Sequence, residues 1–328
     1  MTQLRLSLAV GNYEHVRDLL SGEVRAEGID IIALRTPIEE LLFRFMRFGE
    51  WEVSEMGLGP YVSLVSQDRR DMVAIPVFTS RVFRHSALYV RADAGVASPA
   101  DLAGRRVGVP EWAMTAVIYA RALLQHAHGV DLRSIQWVQA GVDEPGRTDK
   151  MQLKPAGFSI TPEPARSLSE MLVAGDLDAI ISARAPRAFR ERHPRIRRAF
   201  EDLFGEEMAY WKATRIFPIM HLVALRRDVY DQYRWAAMNL YKAFEEAKRR
   251  ALARLLEAQT SPFPVPWLGH HLELAKREMG VDFWPYGMEP NRRTLEAFCQ
   301  YAHEQGACAR RVEIEELFVP EVRAVSRI

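Results

Sequence analysis

The chain lacks most of the signatures that would fix its chemistry at once, and each absence removes a class of answer. Only two cysteines occur in 328 residues, Cys299 and Cys308. No C-x-x-C pair is present, so zinc-ribbon and thioredoxin-like readings fail. The spacing of the two permits a disulfide without requiring one, and free thiols in a reducing compartment are the expectation. There is no G-x-G-x-x-G and no P-loop; Gly104 and Gly108 read as a turn and a strand. The G-x-S-x-G of serine hydrolases is absent as well. No apolar run approaches the roughly eighteen residues of a membrane span. The first ten residues alternate polar and apolar like a strand and carry no h-region of a signal peptide, so a cytoplasmic location is expected. Neither sign of charge dominates, with 44 Lys and Arg against 43 Asp and Glu. A nucleic-acid footprint needs a basic excess that this balance does not supply. It still leaves room for a local basic pocket facing a small anion.

What remains is an ordinary globular composition, 48% apolar and 27% charged. The length is more than one core usually holds, so two domains are expected. Strands at 4–10, 29–34, 51–56 and 73–78 alternate with helices at 13–20, 38–48 and 60–67. The second of these helices opens with Pro37 at its start and carries Leu41, Leu42, Phe45 and Phe48 on its apolar side. Such alternation predicts an α/β domain with a largely parallel sheet. The theme repeats with Ser98 as the N-cap of a short helix, strands at 105–109, 135–138 and 178–182, and helices at 113–126 and 167–174. Residues 143–164 read as loop, and the arginine-rich 187–198 as a solvated helix face or loop. A strand at 216–225 then precedes long helices at 230–258, 268–279 and 291–305. The expected organisation is discontinuous. Residues 1–90 and 216–328 make a first α/β lobe with the C-terminal helices on it, and 91–215 make a second. Two chain crossings form a hinge, and a cleft between such lobes is a usual ligand site.

The stretch 77–91 attracts attention because Arg81, Arg84 and His85 lie between two apolar strands. Strand ends are where α/β sheets place ligands. The cleft would also collect Asn12, Glu55 and Ser80 from the first lobe, Glu111, Thr115, Arg147 and Arg184 from the second, and Thr214 and His221 near the return crossing. Thr115 stands near a helix start, where free N–H groups favour anions. Arginine can grip a carboxylate through two parallel hydrogen bonds. Several arginines beside two histidines suggest a small, multiply charged acidic ligand. Plainer roles fit each residue too: Arg184 in a surface ion pair, His221 as a core histidine, Glu111 as a helix cap, Glu55 as a buried structural carboxylate. His126 and His128 face different sides of a helix and make poor metal partners; His270 and His271 are no better.

Four motifs together resemble the 4,5-dihydroxyphthalate decarboxylase family. They are Phe83-Arg84-His85-Ser86; Gly108-Val109-Pro110-Glu111-Trp112 with Met114-Thr115-Ala116; Ile216-Phe217-Pro218-Ile219-Met220-His221; and Trp284-Pro285-Tyr286-Gly287-Met288-Glu289 with Asn291-Arg292 and Thr294-Leu295-Glu296. The resemblance runs over nearly the whole chain. It implies a two-lobed fold similar to type 2 periplasmic binding proteins, in keeping with the two crossings. It also implies non-oxidative decarboxylation of a hydroxylated aromatic acid. The substrate it points to first is 4,5-dihydroxyphthalate, giving protocatechuate and CO2; each carboxylate there has a phenol para to it, so the ring can serve as electron sink without pyridoxal or flavin. The enzyme must supply a proton donor, an acceptor for the phenolic proton and cations for the carboxylate that stays. On this reading His85 or His221 protonates the ring carbon or handles the phenolic proton, and Glu111 or Glu55 orients a histidine or accepts from a hydroxyl. Arg81, Arg84 and Arg184 hold carboxylates, with Ser80, Thr115, Arg147 and Asn12 also contacting substrate. No cofactor is implied. A divalent metal could grip the catechol oxygens through His and Glu, though no ligand motif supports it. The expected partner is the aromatic dicarboxylate, with no nucleic acid and no membrane; a homo-oligomer is possible through the C-terminal helices. The competing expectation is a cytosolic small-anion binding protein or sensor without turnover.

Overall fold

A computed structural model describes residues 3–257 and 263–323. The chain opens with strands β1 (Leu4–Ala9), β2 (Ile29–Leu34), β3 (Val53–Gly57) and β4 (Met72–Arg81), linked by helices α1 (Arg17–Ser21), α2 (Ile38–Phe48) and α3 (Leu58–Ser66). Next come β5 (Leu88–Arg91), β6 (Arg106–Val109), β7 (Gln136–Gln139), β8 (Ser159–Pro162), β9 (Ala179–Ile181) and β10 (Ile196–Arg198). Helix α4 (Thr115–Ala122) follows β6, and α5 (Leu168–Ala174) precedes β9. Helices α6 (Arg187–Arg190) and α7 (Leu203–Thr214) flank β10. Strand β11 (Ile219–Arg226) leads into α8 (Arg227–Gln232), α9 (Trp235–Leu255), α10 (Leu268–Met279) and α11 (Arg292–Glu304).

The strands form two sheets, ordered β2-β1-β3-β11-β4 and β10-β5-β9-β6-β7-β8. In the first, β1 is parallel to β2 and β3, while β11 runs antiparallel between β3 and β4. In the second, β6 is parallel to β7 and β9, β7 to β8, and β5 is antiparallel to β9 and β10. The chain leaves the first sheet after β4 and returns to it with β11. The outward crossing falls before Leu88, because β5 pairs within the second sheet. We call each sheet with its helices a lobe.

Local chemistry accounts for most elements. In β1, Leu6 and Leu8 point into the core while Arg5 and Ser7 alternate with them. Helix α2 has Glu39 and Glu40 in its first turn and ends at Gly49 in the left-handed region. It buries Leu41 and Phe45, but Phe48 at its last position is 66% exposed. Pro76 interrupts β4. It has no N–H for the ladder, and the pairing with β11 jumps from Ile75–Val223 to Ser80–His221. The bulge brings Ser80 level with His221. The expected helix at 230–258 is two helices, since Tyr233 leaves the helical region at φ −134°, ψ 58°; its far end, Ala258, lies outside the described residues.

The lobes share one apolar cluster that runs through both sheets, with a smaller one around Leu168, Leu172 and Ile180. A Cβ on Gly59 would lie 2.2 Å from the Ala113 carbonyl oxygen, so only glycine lets α3 approach the second lobe here. The Gly59 N–H donates to Thr115 Oγ1 at 2.9 Å. The C-terminal helices touch both lobes: α11 packs on α3 and on α4. Arg121 in α4 stacks 3.6 Å from the Trp112 ring and donates to Gln305 Oε1. Both cysteines are buried free thiols. Among the described residues, no helix is long and apolar enough to cross a membrane.

Candidate active site

Strands β1, β3, β11 and β4 are neighbours. Parallel β1 and β3 end at the edge where antiparallel β11 begins. Four polar side chains meet there. Glu55 on β3 is fully buried. Its Oε2 accepts the Gly11 N–H at 2.8 Å, just past the end of β1. Its Oε1 accepts the Tyr13 hydroxyl at 2.8 Å and lies 2.6 Å from His221 Nδ1. Ser80, level with His221 across the β4–β11 pairing, stands beside the Tyr13 hydroxyl and completes the group. Gly11 makes the turn possible, since a Cβ there would sit 2.5 Å from the Tyr13 ring.

Burial alone would raise the pKa of Glu55. The hydrogen bond and charge of His221, with the Gly11 and Tyr13 donors, outweigh it and hold the carboxyl below its ordinary range. Tyr13 is pushed up by burial and by the Glu55 charge, so it stays a donor. An ionised Glu55 fixes Nδ1 of His221 as the protonated nitrogen. The His221 side chain is 19% exposed, and its Nε2 has no protein partner among the described residues. That nitrogen is able to give or take a proton. Asn12 is exposed beside this group.

The crossing segment is built differently. His85 is buried, with Phe200 and Tyr210 packed edge-on against its ring at 5.3 and 5.5 Å. Burial, with a smaller contribution from His128, lowers its pKa to about 4. It shares no contact with Glu55 or His221, and an imidazole enclosed by aromatic rings is poorly placed to exchange protons. Arg81 is also spent on structure. Its Nη1 donates to the Phe217 carbonyl at 3.1 Å and its Nη2 to the Pro285 carbonyl at 2.7 Å and to Asn291 Oδ1. These three bonds tie the Nη groups to protein oxygens, while the buried Nε has no partner among the described residues. Arg84 differs: its Nε faces Met220 Sδ at 2.9 Å, and no carboxylate pairs with it among the described residues. Burial lowers its pKa to about 10. It is a largely desolvated cation without an anion.

In the second lobe, Glu111 binds Arg147 at 2.6 Å and Lys150 at 3.2 Å. No histidine contacts its carboxylate among the described residues, and Arg147 is correspondingly held by protein. The free end of Arg147 comes 4.0 Å from Glu39 of α2, a contact between the lobes. Thr115 accepts the Gly59 N–H and is buried. Thr214 caps its own helix by bonding the Tyr210 carbonyl. Arg184 is exposed past the end of β9, with no ion pair among the described residues. The structure thus brings together Glu55, Ser80 and His221, leaves Arg84 and Arg184 unpaired, and engages Arg81, His85 and Glu111 elsewhere. Sequence reasoning missed Tyr13; its signal was a Gly-Asn-Tyr turn immediately after the first strand. Among the described residues, no group of three or more His, Cys, Asp or Glu is arranged to hold a metal.

Comparisons with known proteins add two kinds of likeness. The chain is 38% identical over 322 residues to the 4,5-dihydroxyphthalate decarboxylase of Comamonas testosteroni, covering 98% of both. A family described as ABC transporter, phosphonate, periplasmic substrate-binding protein matches residues 10–145. Among solved structures, the periplasmic aliphatic sulphonate binding protein SsuA from Escherichia coli superposes with a TM-score of 0.53 at 14% identity, over 98% of this chain and 99% of that one. The desulfurization enzyme DszB does so with a TM-score of 0.54 at 16% identity, over 97% of each. At these identities the structures speak for the fold alone, the two-lobed α/β fold of type 2 periplasmic binding proteins.

Proposed function

This chain belongs to the 4,5-dihydroxyphthalate decarboxylase family, and we propose that it converts 4,5-dihydroxyphthalate to protocatechuate and CO2 by protonating a ring carbon in the crevice between its lobes. The observation that carries the mechanism is the Glu55–His221 contact of 2.6 Å, which leaves Nε2 of His221 free. The imidazolium gives its Nε2 proton to the ring carbon bearing the departing carboxylate. Positive charge then develops on the para oxygen, which passes its proton to water to become a neutral dienone. The bond to the carboxylate breaks, its electron pair restores the aromatic ring, and the oxygen regains a proton. One proton is consumed and one CO2 released per turnover, with the ring as the only electron sink. Glu55 supports the charged imidazole before transfer. General acid–base assistance of this kind contributes about 10²–10⁴-fold in rate. Arg84 supplies a positive charge for one carboxylate, and Arg184, exposed past the end of β9, one for the other. A charge already stripped of water interacts strongly with an anion that displaces no further solvent from it. A cytoplasmic location suits the two buried free thiols.

The test is direct. Purified protein mixed with 4,5-dihydroxyphthalate in D2O should release CO2 and yield product with deuterium at the vacated ring carbon. The match of residues 10–145 to a transport-type family favours a second reading, a binding protein. Saturable binding of the diacid with no CO2 would establish that reading against the first. A panel of hydroxylated benzoates and phthalates, scored by mass spectrometry, fixes the substrate.

A further inference from the structure

His15 is an ionisable side chain in contact with the Tyr13–Glu55–His221 group that the chemistry leaves without a role. It follows Tyr13 by two residues in a 3-10 turn (Glu14–Val16). Its ring stacks on the Tyr13 ring with centroids 5.3 Å apart and planes 26° apart. On its other sides stand Trp284 at 5.3 Å and Tyr286 at 6.4 Å. The backbone of Thr79 reaches the ring, but the buried Nε2 has no partner among the described residues. His15 is therefore held mainly by its faces.

The wall behind it is itself anchored. Trp284 Nε1 donates to the Phe78 carbonyl at 2.9 Å, and the Gly287 N–H donates to the Pro76 carbonyl at 2.8 Å. Asn291 Nδ2 donates to the carbonyls of Pro285 and Gly287, and Arg81 clamps Pro285 and Asn291 together. A loop more than two hundred residues downstream is thus fixed to β4 and pressed against His15.

We propose that His15 is a positioning residue: wedged between Tyr13 and the Trp284–Tyr286 loop, it keeps the Tyr13 hydroxyl on Glu55 and thereby sets how strongly Glu55 supports the charge on His221. The inference rests on the proton-transfer role given to His221. Tyr13 and His221 share one oxygen, Oε1 of Glu55. Removing the Tyr13 donor concentrates carboxylate charge toward the imidazole and favours its protonated form. The charged groups around His15 are Glu55 on β3, Arg81 on β4 and Lys248 on α9, and burial keeps His15 itself neutral, with a pKa lowered to about 4. A neutral ring there leaves Glu55 to a single imidazolium.

The experiment is an NMR titration of the His221 imidazole in the substrate-free full chain, for the wild type and for Tyr13→Phe, His15→Ala and His15→Phe. Tyr13→Phe and His15→Ala should both raise the His221 pKa, by about half a unit or more, the scale of one altered hydrogen bond. His15→Phe, which keeps the stacked ring, should leave it near the wild-type value. In turnover, His15→Ala should lower kcat about tenfold and leave KM within about threefold, because positioning acts on the transition state. If His15→Ala does not fold, His15→Asn, which lacks the full ring, takes its place. The proposal is overturned if the His15 variant leaves His221 titrating where the wild type does, or if Tyr13→Phe does not move it. The titration needs no turnover, so its failure and a failure to release CO2 are separate results.

Discussion

Two histidines of this molecule sit in opposite surroundings, and on the proposed mechanism only one of them moves a proton. At the edge shared by β1, β3 and β11, His221 is 19% exposed and held at Nδ1 by a buried carboxylate. At the crossing between the lobes, His85 is 3% exposed and boxed by Phe200 and Tyr210, with no acid beside it among the described residues. The arginines differ as well: Arg81 donates to two carbonyls and to Asn291, while Arg84, three residues on, has no anionic partner among the described residues. Residue type alone therefore says little. An imidazole becomes a proton carrier when one nitrogen is held by an acid and the other is open; a guanidinium becomes an anion site when burial removes its water and the fold supplies no counter-charge.

The histidines give the widest separation. His221→Ala should lower kcat by about 10²–10⁴-fold, the range for losing a general acid. His85→Leu should keep kcat within about threefold, as measured by CO2 release. Near-equal losses would collapse the distinction. The arginines come next. Arg84→Met should raise KM for the diacid by about ten- to a hundredfold, in line with a charged hydrogen bond worth about 1.5–3 kcal/mol. Arg81→Met should leave KM within about threefold and instead cost about 2–4 kcal/mol of stability in urea unfolding, because it strands buried carbonyls. The smallest effect is in acid. His85 is kept neutral by burial with a pKa near 4 in the folded chain, below the ordinary value of 6.5. Its contribution is complete above pH 6.5 and is lost as pH falls toward 4, at no more than about 1.4 kcal/mol per pH unit. His85→Leu should flatten stability between pH 7 and 5 relative to the wild type; an unchanged slope would contradict its burial as a neutral ring.

Much of this architecture was legible in the chain because apolar strands and amphipathic helices announce themselves. The elements that escaped had little to bury. Helix α7 has no buried residue, and β8 is an edge strand that is mostly exposed and ends in Pro162. Strand β10 is three residues long and two of them are arginines. At the site, polar residues near strand ends could be picked out one by one, but their pairing could not. Glu55 and His221 are 166 residues apart, and it is the insertion of β11 between β3 and β4 that brings them into contact. Glu111, placed beside a motif, found Arg147 and Lys150 within its own lobe. The aromatic wall behind His15 depends on a bulge at Pro76 and a distant loop, neither of which has a periodic signature.

Chemical rescue tests the central claim most directly. If Nε2 of His221 delivers the ring proton, His221→Ala should regain CO2 release when free imidazole is added, rising with imidazole concentration toward saturation, whereas the wild type and His85→Leu should not respond. A His221→Ala protein that decarboxylates at the wild-type rate without imidazole, or one that is folded, binds the diacid and is not revived by any small amine, would contradict it.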